Sequence, residues 1–183
     1  MAEPYHERYR SALGDLHVFF DDQGALAEIA LPGRVGVTAS VGRRPAGAPP
    51  RSAVQRWFDQ YLRGVQEPWP GAWRIPGETP FFHRVYRAVH RIPVGQTRSY
   101  GEIARQCGSP GAARAVGSAM ARNPLPLLVP CHRVLAAGSR IGGFGCGVAM
   151  KRELLVREAD AAGRPYPIQE TTPPSQRPAT NSA

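Results

Sequence analysis

The sequence predicts an α/β N-terminal part with a small antiparallel sheet, followed by a mostly α C-terminal domain built on a helix-turn-helix. Three observations predict it. Residues 13–33, LGDLHVFFDDQGALAEIALPG, read as two strands around a turn at Asp22, Gln23 and Gly24. Residues 66–80, QEPWPGAWRIPGETP, hold four prolines and no periodic pattern, which places a domain boundary there. From residue 80 onward, short segments of helical spacing alternate with glycine turns. A chain of 183 residues suits this division: 1–75 for the N-terminal unit, 76–162 for the helical one, and 163–183 for a disordered Pro/Ser/Thr-rich tail.

Each element follows from local chemistry. GRRPAGAPPR (42–51) is a Pro/Gly loop. In 52–65, Val54, Trp57, Phe58, Tyr61 and Leu62 recur at helical spacing, and Ser52 is placed to cap the helix. PFFHRVYRAVHRI (80–92) is a second helix with Phe82, Val85, Ala88 and Val89 inward, and 93–98 is a turn. SYGEIARQ (99–106) has a capping box: Ser99 can accept from the amide of Glu102, and Glu102 can reach back. Tyr100 therefore sits on the first turn. GSPG (108–111) breaks the chain and AARAVGSAMARN (112–123) resumes it, giving two short helices around a tight turn. Val116 and Met120 face the core of that second helix. Its remaining surface is small, with Ala112, Ala113, Ala115, Gly117, Ser118 and Ala119, and Arg114 is the one large side chain near its start. Small residues let a backbone come close to another body, or let two helices pack tightly; spacing alone supports both. A glycine-rich loop (138–147) precedes a helix (148–163) whose Lys151, Leu155 and Glu158 share a face.

Composition narrows the function. Residues 81–158 carry 12 Lys/Arg against 3 acids, the whole of the net charge of +9, while the rest holds 11 of each sign. A polyanion partner, nucleic acid above all, fits so localised a charge, against the alternative of solvated surface arginines. No apolar run is long enough to span a bilayer, and MAEPYHERYR has no signal-peptide region, so no membrane partner and a cytoplasmic location are expected. Three cysteines, Cys107, Cys131 and Cys146, read as reduced thiols.

The chemistry concentrates in LLVPCHRVL (127–135), where Cys131 precedes His132 and Arg133. A cysteine reacts as the thiolate, and a free thiol has a pKa of about 8.5, so a neighbouring base or cation must make the thiolate available. His132 can be that base, directly or through a water, and Glu158 is one of three acids in the region that could orient it. Each residue alone is more often a core thiol or a satisfied core histidine; together with a basic helix-turn-helix they point to a nucleophile. No zinc-ligand spacing links the cysteines, so no metal is expected.

RSYGEIA, GAARAVGSAMARNP and PCHRV, in this order and spacing, resemble the 6-O-alkylguanine-DNA alkyltransferases, the methylated-DNA–protein-cysteine methyltransferases, over residues 80–160. The resemblance extends weakly to SALGDLHVFF near the N-terminus. It implies a ribonuclease-H-like N-terminal fold and a winged-helix-like C-terminal domain. It implies direct, single-turnover transfer of an alkyl group from 6-O-alkylguanine, less well from 4-O-alkylthymine, to Cys131. His132 would be the base acting through a water, polarised by Glu158. Tyr100 would give a proton to the departing guanine, with Lys151 assisting, and Asn123 would tie the recognition helix to the active-site turn. Arg114 would fill the space of a flipped nucleotide. Ala112, Ala113, Ala115 and Gly117 would approach the minor groove, with Arg122 also on the DNA. Val134, Phe144, Gly145 and Met120 would line the base pocket. The implied partner is double-stranded DNA containing alkylated guanine, met by a monomer that can load cooperatively.

Two positions depart from the family pattern: Phe144 stands where a tyrosine is usual, and Cys146 replaces a loop glycine. Two other readings are weighed. A non-enzymatic lesion binder of the alkyltransferase-like kind has tryptophan in place of Cys131. A major-groove transcription factor should show base-reading polar side chains where this helix has Ala and Gly.

Overall fold

The structure is a computed structural model describing residues 5–33, 43–75 and 79–168. Three strands, β1 (Tyr5–Ser11), β2 (Gly14–Phe20) and β3 (Leu26–Ala30), form an antiparallel sheet in the order β1-β2-β3. β2 and β3 are the two strands expected from the sequence. β1 is a further one, paired in register from Tyr5↔Phe20 to Ser11↔Gly14. Its polar composition hides it, because one inward position is a carboxylate. Glu7 is buried yet fully paired: it accepts from Tyr5 at 2.8 Å, from Tyr9, and from Arg44 Nε at 2.7 Å. At the β2–β3 turn, Asp21 Oδ1 accepts from the amides of Gln23 and Ala25 at 3.0 and 2.8 Å. Gly24 sits there at φ +82°, where a Cβ would come within 2.1 Å of the Ala48 nitrogen, so only glycine closes the turn against the 43–50 loop.

Helix α1 (Arg51–Tyr61) buries Val54, Trp57, Phe58 and Tyr61. Its N-cap is Pro50 with no side-chain bond, so Ser52 does not cap it; Ser52 falls inside the first turn. The segment read as a linker is in part structured. Leu26 donates to Ala72 O at 2.9 Å and accepts from Arg74 N at 3.0 Å, and buried Trp69 meets Trp57 edge-on at 5.2 Å. Aromatic residues between the prolines give it a reason to pack.

Helix α2 (Pro80–His90) starts with Pro80 in its first turn and the Thr79 hydroxyl accepting from Phe82 N at 3.3 Å. It buries Phe82, Val85, Tyr86 and Val89; Ala88, expected inward, is only half-buried, and Tyr86 takes the larger share. The Tyr86 hydroxyl donates to Ala119 O at 3.1 Å. Strand β4 (Arg98–Ser99), placed where a turn and cap were expected, pairs in parallel with β5 (Val134–Leu135). Such two-residue strands carry no periodicity to read. Helices α3 (Tyr100–Gln106) and α4 (Ala113–Ala121) follow, packed together around a turn at 107–112, and α5 (Val148–Ala161) closes the fold. The capping box of α3 forms in both directions.

One buried cluster runs from Tyr9, Leu16 and Phe58 through Val85 and Val116 to Leu128 and Leu154, joining the two halves. Ile29 N of β3 also donates to Pro124 O at 2.8 Å. The boundary expected at 75/76 adjoins residues 76–78, which lie outside the described residues, as does 169–183 of the expected tail. No helix among the described residues is long and apolar enough to cross a membrane.

Candidate active site

The site begins with a loop that is costly to form. Leu127 adopts φ +74°, a left-handed conformation that disfavours a side chain, while being only 1% exposed. Pro124, Pro126 and Pro130 restrict the same loop, and buried Leu125, Leu128 and Val129 anchor it. Asn123 ties both ends: its Oδ1 accepts from Leu125 N at 3.0 Å, and its Nδ2 donates to Val129 O at 2.7 Å. A single turn of 3-10 helix, Cys131–Arg133, then sets the next three side chains in different directions.

Cys131 is 6% exposed and opens on a cavity of about 310 Å³. Tyr100 of α3, Gly117, Met120 and Ala121 of α4, and Gly143, Phe144 and Gly145 of the glycine loop complete the lining. Five residues expected here from distant stretches thus converge: Cys131, Tyr100, Met120, Phe144 and Gly145. The β4–β5 pairing Ser99↔Leu135 explains part of this, since it lays the start of α3 beside the strand that follows the cysteine. Val134 corrects the expectation. It lines no part of the cavity; its side chain is fully buried and its carbonyl accepts from Lys151 Nζ at 2.7 Å.

Behind Cys131 lies a buried charged network. His132 Nε2 meets Glu158 Oε1 at 2.7 Å, and both residues are at most 3% exposed. His132 Nδ1 is buried without a hydrogen-bond partner among the described residues. Arg133, fully buried, donates through Nε to both Glu158 oxygens at 3.0 and 2.8 Å, and through Nη2 to Tyr61 Oη at 3.0 Å and to Glu158 Oε1 at 2.8 Å. The Tyr61 hydroxyl donates to Glu158 Oε1 at 3.3 Å. Arg133 and Tyr61 are the members sequence reasoning missed. Arg133 had a readable signal, since a buried carboxylate holding a histidine needs a cation. Tyr61 had none: it lies 97 positions from Glu158, on the N-terminal helix.

Electrostatics follow from burial. Burial pushes the Cys131 thiol up to about 11, against the lowering effect of Asn123 and Lys151, so the resting sulfur is protonated. Burial brings Lys151 down to about 8. Burial also lowers His132, although Glu158 opposes this, so the imidazole is neutral at pH 7. Burial alone would raise Glu158; His132 and Arg133 outweigh it and hold the carboxyl at about 2. The arrangement is a protonated thiol near a neutral base whose partner is permanently anionic.

On α4, Arg114, Ser118 and Arg122 are exposed, while Ala112, Ala113, Ala115 and Gly117 are half-buried. The Arg122 guanidinium lies over the Phe82 ring at 5.7 Å. A Cβ on Gly117 would meet nothing within 4 Å, so its face is open. Among the described residues no cluster of His, Cys, Asp or Glu is placed to hold a metal ion.

Fold and site together define a class: a basic α/β protein that holds a buried cysteine, followed by a His–Glu pair, in the wall of a pocket beside a small-faced helix. Comparison with known proteins narrows the class. The family model described as 6-O-methylguanine DNA methyltransferase, DNA binding domain, matches residues 80–160. The methylated-DNA–protein-cysteine methyltransferase of Mycobacterium tuberculosis is 54% identical over 84 residues, 46% of this chain and 51% of the relative. That of Methanosarcina acetivorans is 47% identical over 83 residues, 45% of this chain and 53% of the relative. These sequence matches span about half the length of the curated relatives. The structural match is longer. The crystal structure of the M. tuberculosis O6-methylguanine methyltransferase has a TM-score of 0.73 at 34% identity, covering 87% of this chain and 94% of that one. The M. tuberculosis protein solved in complex with DNA gives 0.71 at 33%, covering 89% and 96%. The chain belongs to the methylated-DNA–protein-cysteine methyltransferase family.

Proposed function

We propose that this protein repairs duplex DNA by moving an alkyl group from the 6-oxygen of guanine to the sulfur of Cys131, once per molecule. The observation that carries the reading is that buried Cys131 lines a 310 Å³ cavity, next in sequence to the buried His132–Glu158 pair. The thiol proton leaves to His132 through a bridging water seated on Nδ1. The sulfur attacks the alkyl carbon, the S–C bond forms, and the C–O bond breaks with its electrons going to guanine. The guanine takes a proton from Tyr100, and the tyrosine is reprotonated from the His132 side, so protons balance. Lys151, charged below about pH 8, favours the developing thiolate. The thioether product is inert, which makes the protein a stoichiometric reagent needing no cofactor.

The lesion lies inside a base stack, so the nucleotide must be flipped into the pocket. α3 and α4 act as a helix-turn-helix of a winged-helix-like domain. The small face of Ala112, Ala113, Ala115 and Gly117 enters the minor groove, Arg114 occupies the vacated stack, and Arg122 meets the backbone. The protein acts as a monomer on DNA, in a cytoplasmic setting where thiols stay reduced; 4-O-alkylthymine is a poorer substrate. Phe144 supplies a pocket wall without the hydroxyl common at that place. The test is intact-protein mass spectrometry after mixing with a duplex containing one 6-O-methylguanine. A gain of one methyl that stops at one equivalent, persists in Cys146→Ser and vanishes in Cys131→Ser is expected. Binding with no mass gain would make the protein a lesion binder and remove Cys131 as acceptor.

A further inference from the structure

A second cavity, of about 460 Å³, shares no lining residue with the first. Four arginines border it: Arg84 and Arg87 of α2, Arg91 at its C-cap, and Arg98 of β4. The first three stand at i, i+3 and i+7, so they share one helix face and repel one another. Attraction of the last turn to the helix C-terminus accounts for Arg87 and Arg91, but for neither Arg84 nor Arg98, which comes from another segment. No acid lines the cavity, and none of the four arginines is in an ion pair among the described residues. Glu102, an acid close enough for Arg98 to favour its charged form, is committed to the Ser99 cap at 2.7 Å and does not line the cavity. Ala88, Pro93 and the buried Ile92 and Cys107 share the lining with Gln106, and apolar neighbours strengthen a charge interaction beside them. Two of the arginines are already oriented. Arg98 donates to Thr97 O at 2.8 Å and to Gln96 Oε1 at 3.4 Å, and the Arg84 guanidinium lies 5.5 Å over the Phe81 ring.

Convergent guanidiniums without counter-charge are what a phosphate oxyanion requires, since each fork offers paired donors to two of its oxygens. We infer that this cavity is a phosphate-binding site separate from the alkyl-transfer site, filled either by a backbone phosphate of duplex DNA beyond the lesion or by a free diphosphate-class anion. The cavity stands whether or not Cys131 accepts alkyl groups; only the first occupant rests on the DNA-binding reading.

The experiment uses the full chain, Arg87→Gln/Arg91→Gln, and the charge-keeping Arg87→Lys/Arg91→Lys, with thermal melts confirming that all three fold. Inorganic pyrophosphate is titrated calorimetrically, and an undamaged duplex is titrated by anisotropy over a range of salt. If pyrophosphate affinity falls at least tenfold in the Gln variant, recovers in part in the Lys variant, and the duplex data do not change, the occupant is a free anion. If instead the slope of log K against log salt shrinks by about two in the Gln variant, the occupant is backbone phosphate. No difference between wild type and the Gln variant with either probe overturns the site. The methyl mass gain on the same preparations reports separately on the repair reading.

Discussion

At the scale of single residues, Glu158 sets the charge balance of the site. It is held at about 2 in the fold, whereas an unfolded glutamate titrates at roughly 4.3. A carboxyl depressed in this way adds stability that is complete above the unfolded value and is lost as pH falls through the folded one. The window is therefore pH 4.5 down to 2, and the contribution is on the order of 3 kcal/mol. Glu158→Gln is expected to flatten that limb of the acid-denaturation curve. It should also destabilise the protein at pH 7, because Arg133 is then buried without its counter-charge, a loss of about 3–5 kcal/mol. Circular dichroism melts from pH 2 to 7 measure both; an unchanged acid limb would contradict the role of the pair. His132 makes a kinetic counterpart. Burial holds it below the usual imidazole range, so the single-turnover transfer rate should begin to fall only at more acid pH than a free imidazole would dictate. A rate that halves at pH 6.5 would mean an unshifted histidine. In Glu158→Gln the rate should drop roughly 10²-fold, the scale of a lost general base.

At the scale of elements, the loop between α4 and the cysteine determines where the sulfur points. Asn123 holds both Leu125 N and Val129 O, in buried surroundings, and Val129 O accepts besides from the Cys131 amide at 2.7 Å. Asn123→Ala leaves Leu125 N without a partner, at about 1–3 kcal/mol, and removes one of two bonds to Val129 O, at about 1 kcal/mol. A fall in Tm of roughly 5–15 °C is expected, together with slower transfer, because the left-handed Leu127 loses its restraint. Asn123→Asp, which retains an acceptor for Leu125 N, should recover part of the Tm; equal Tm in both variants would show that the anchor does not hold the loop. α4 calls for a different comparison. Arg114 is exposed at its start and does not line the Cys131 cavity, so Arg114→Ala should slow transfer from a duplex while leaving reaction with the free base 6-O-benzylguanine unchanged. Equal losses on both substrates would place Arg114 in the chemistry instead of in the base stack. These elements also show what a sequence can disclose. The capping box of Ser99 and Glu102, and the shared face of Lys151, Leu155 and Glu158, were legible because both partners lie within a few residues, where spacing fixes geometry. Strand β1 was not, since its buried Glu7 contradicts apolar alternation and draws its counter-charge from Arg44 of the 43–50 loop and Arg51 of α1, far along the chain. The β4–β5 ladder and the packing of Trp69 were hidden for the same reason: their partners are chosen by the tertiary fold.

At the scale of the whole molecule, the N-terminal half does more than support the helical half. α1 sends Tyr61 to Arg133 and Glu158, Gln66 accepts from Arg133 at 3.3 Å, and Ile29 N of β3 donates to Pro124 O in the Asn123–Val129 loop, so contacts reach the cysteine's surroundings from outside the matched segment. Burying Arg133, His132, Lys151 and Glu158 together is tolerable only while each charge keeps its partners. In Tyr61→Phe the ring stays and the hydroxyl goes. Arg133 loses one of its acceptors, at about 1–2 kcal/mol, and Glu158 one of its donors, so transfer should slow while folding remains cooperative. A chain starting at Thr79 removes the whole α1 wall and opens the shared core at Val85, Val116 and Leu154 to water. It is expected to show no cooperative melt at 25 °C and above, and to gain no methyl. Near-ultraviolet circular dichroism and intact mass would read both. A truncated chain that melts and transfers like the full protein would show that residues 80–160 are self-sufficient and that Tyr61 is a bystander.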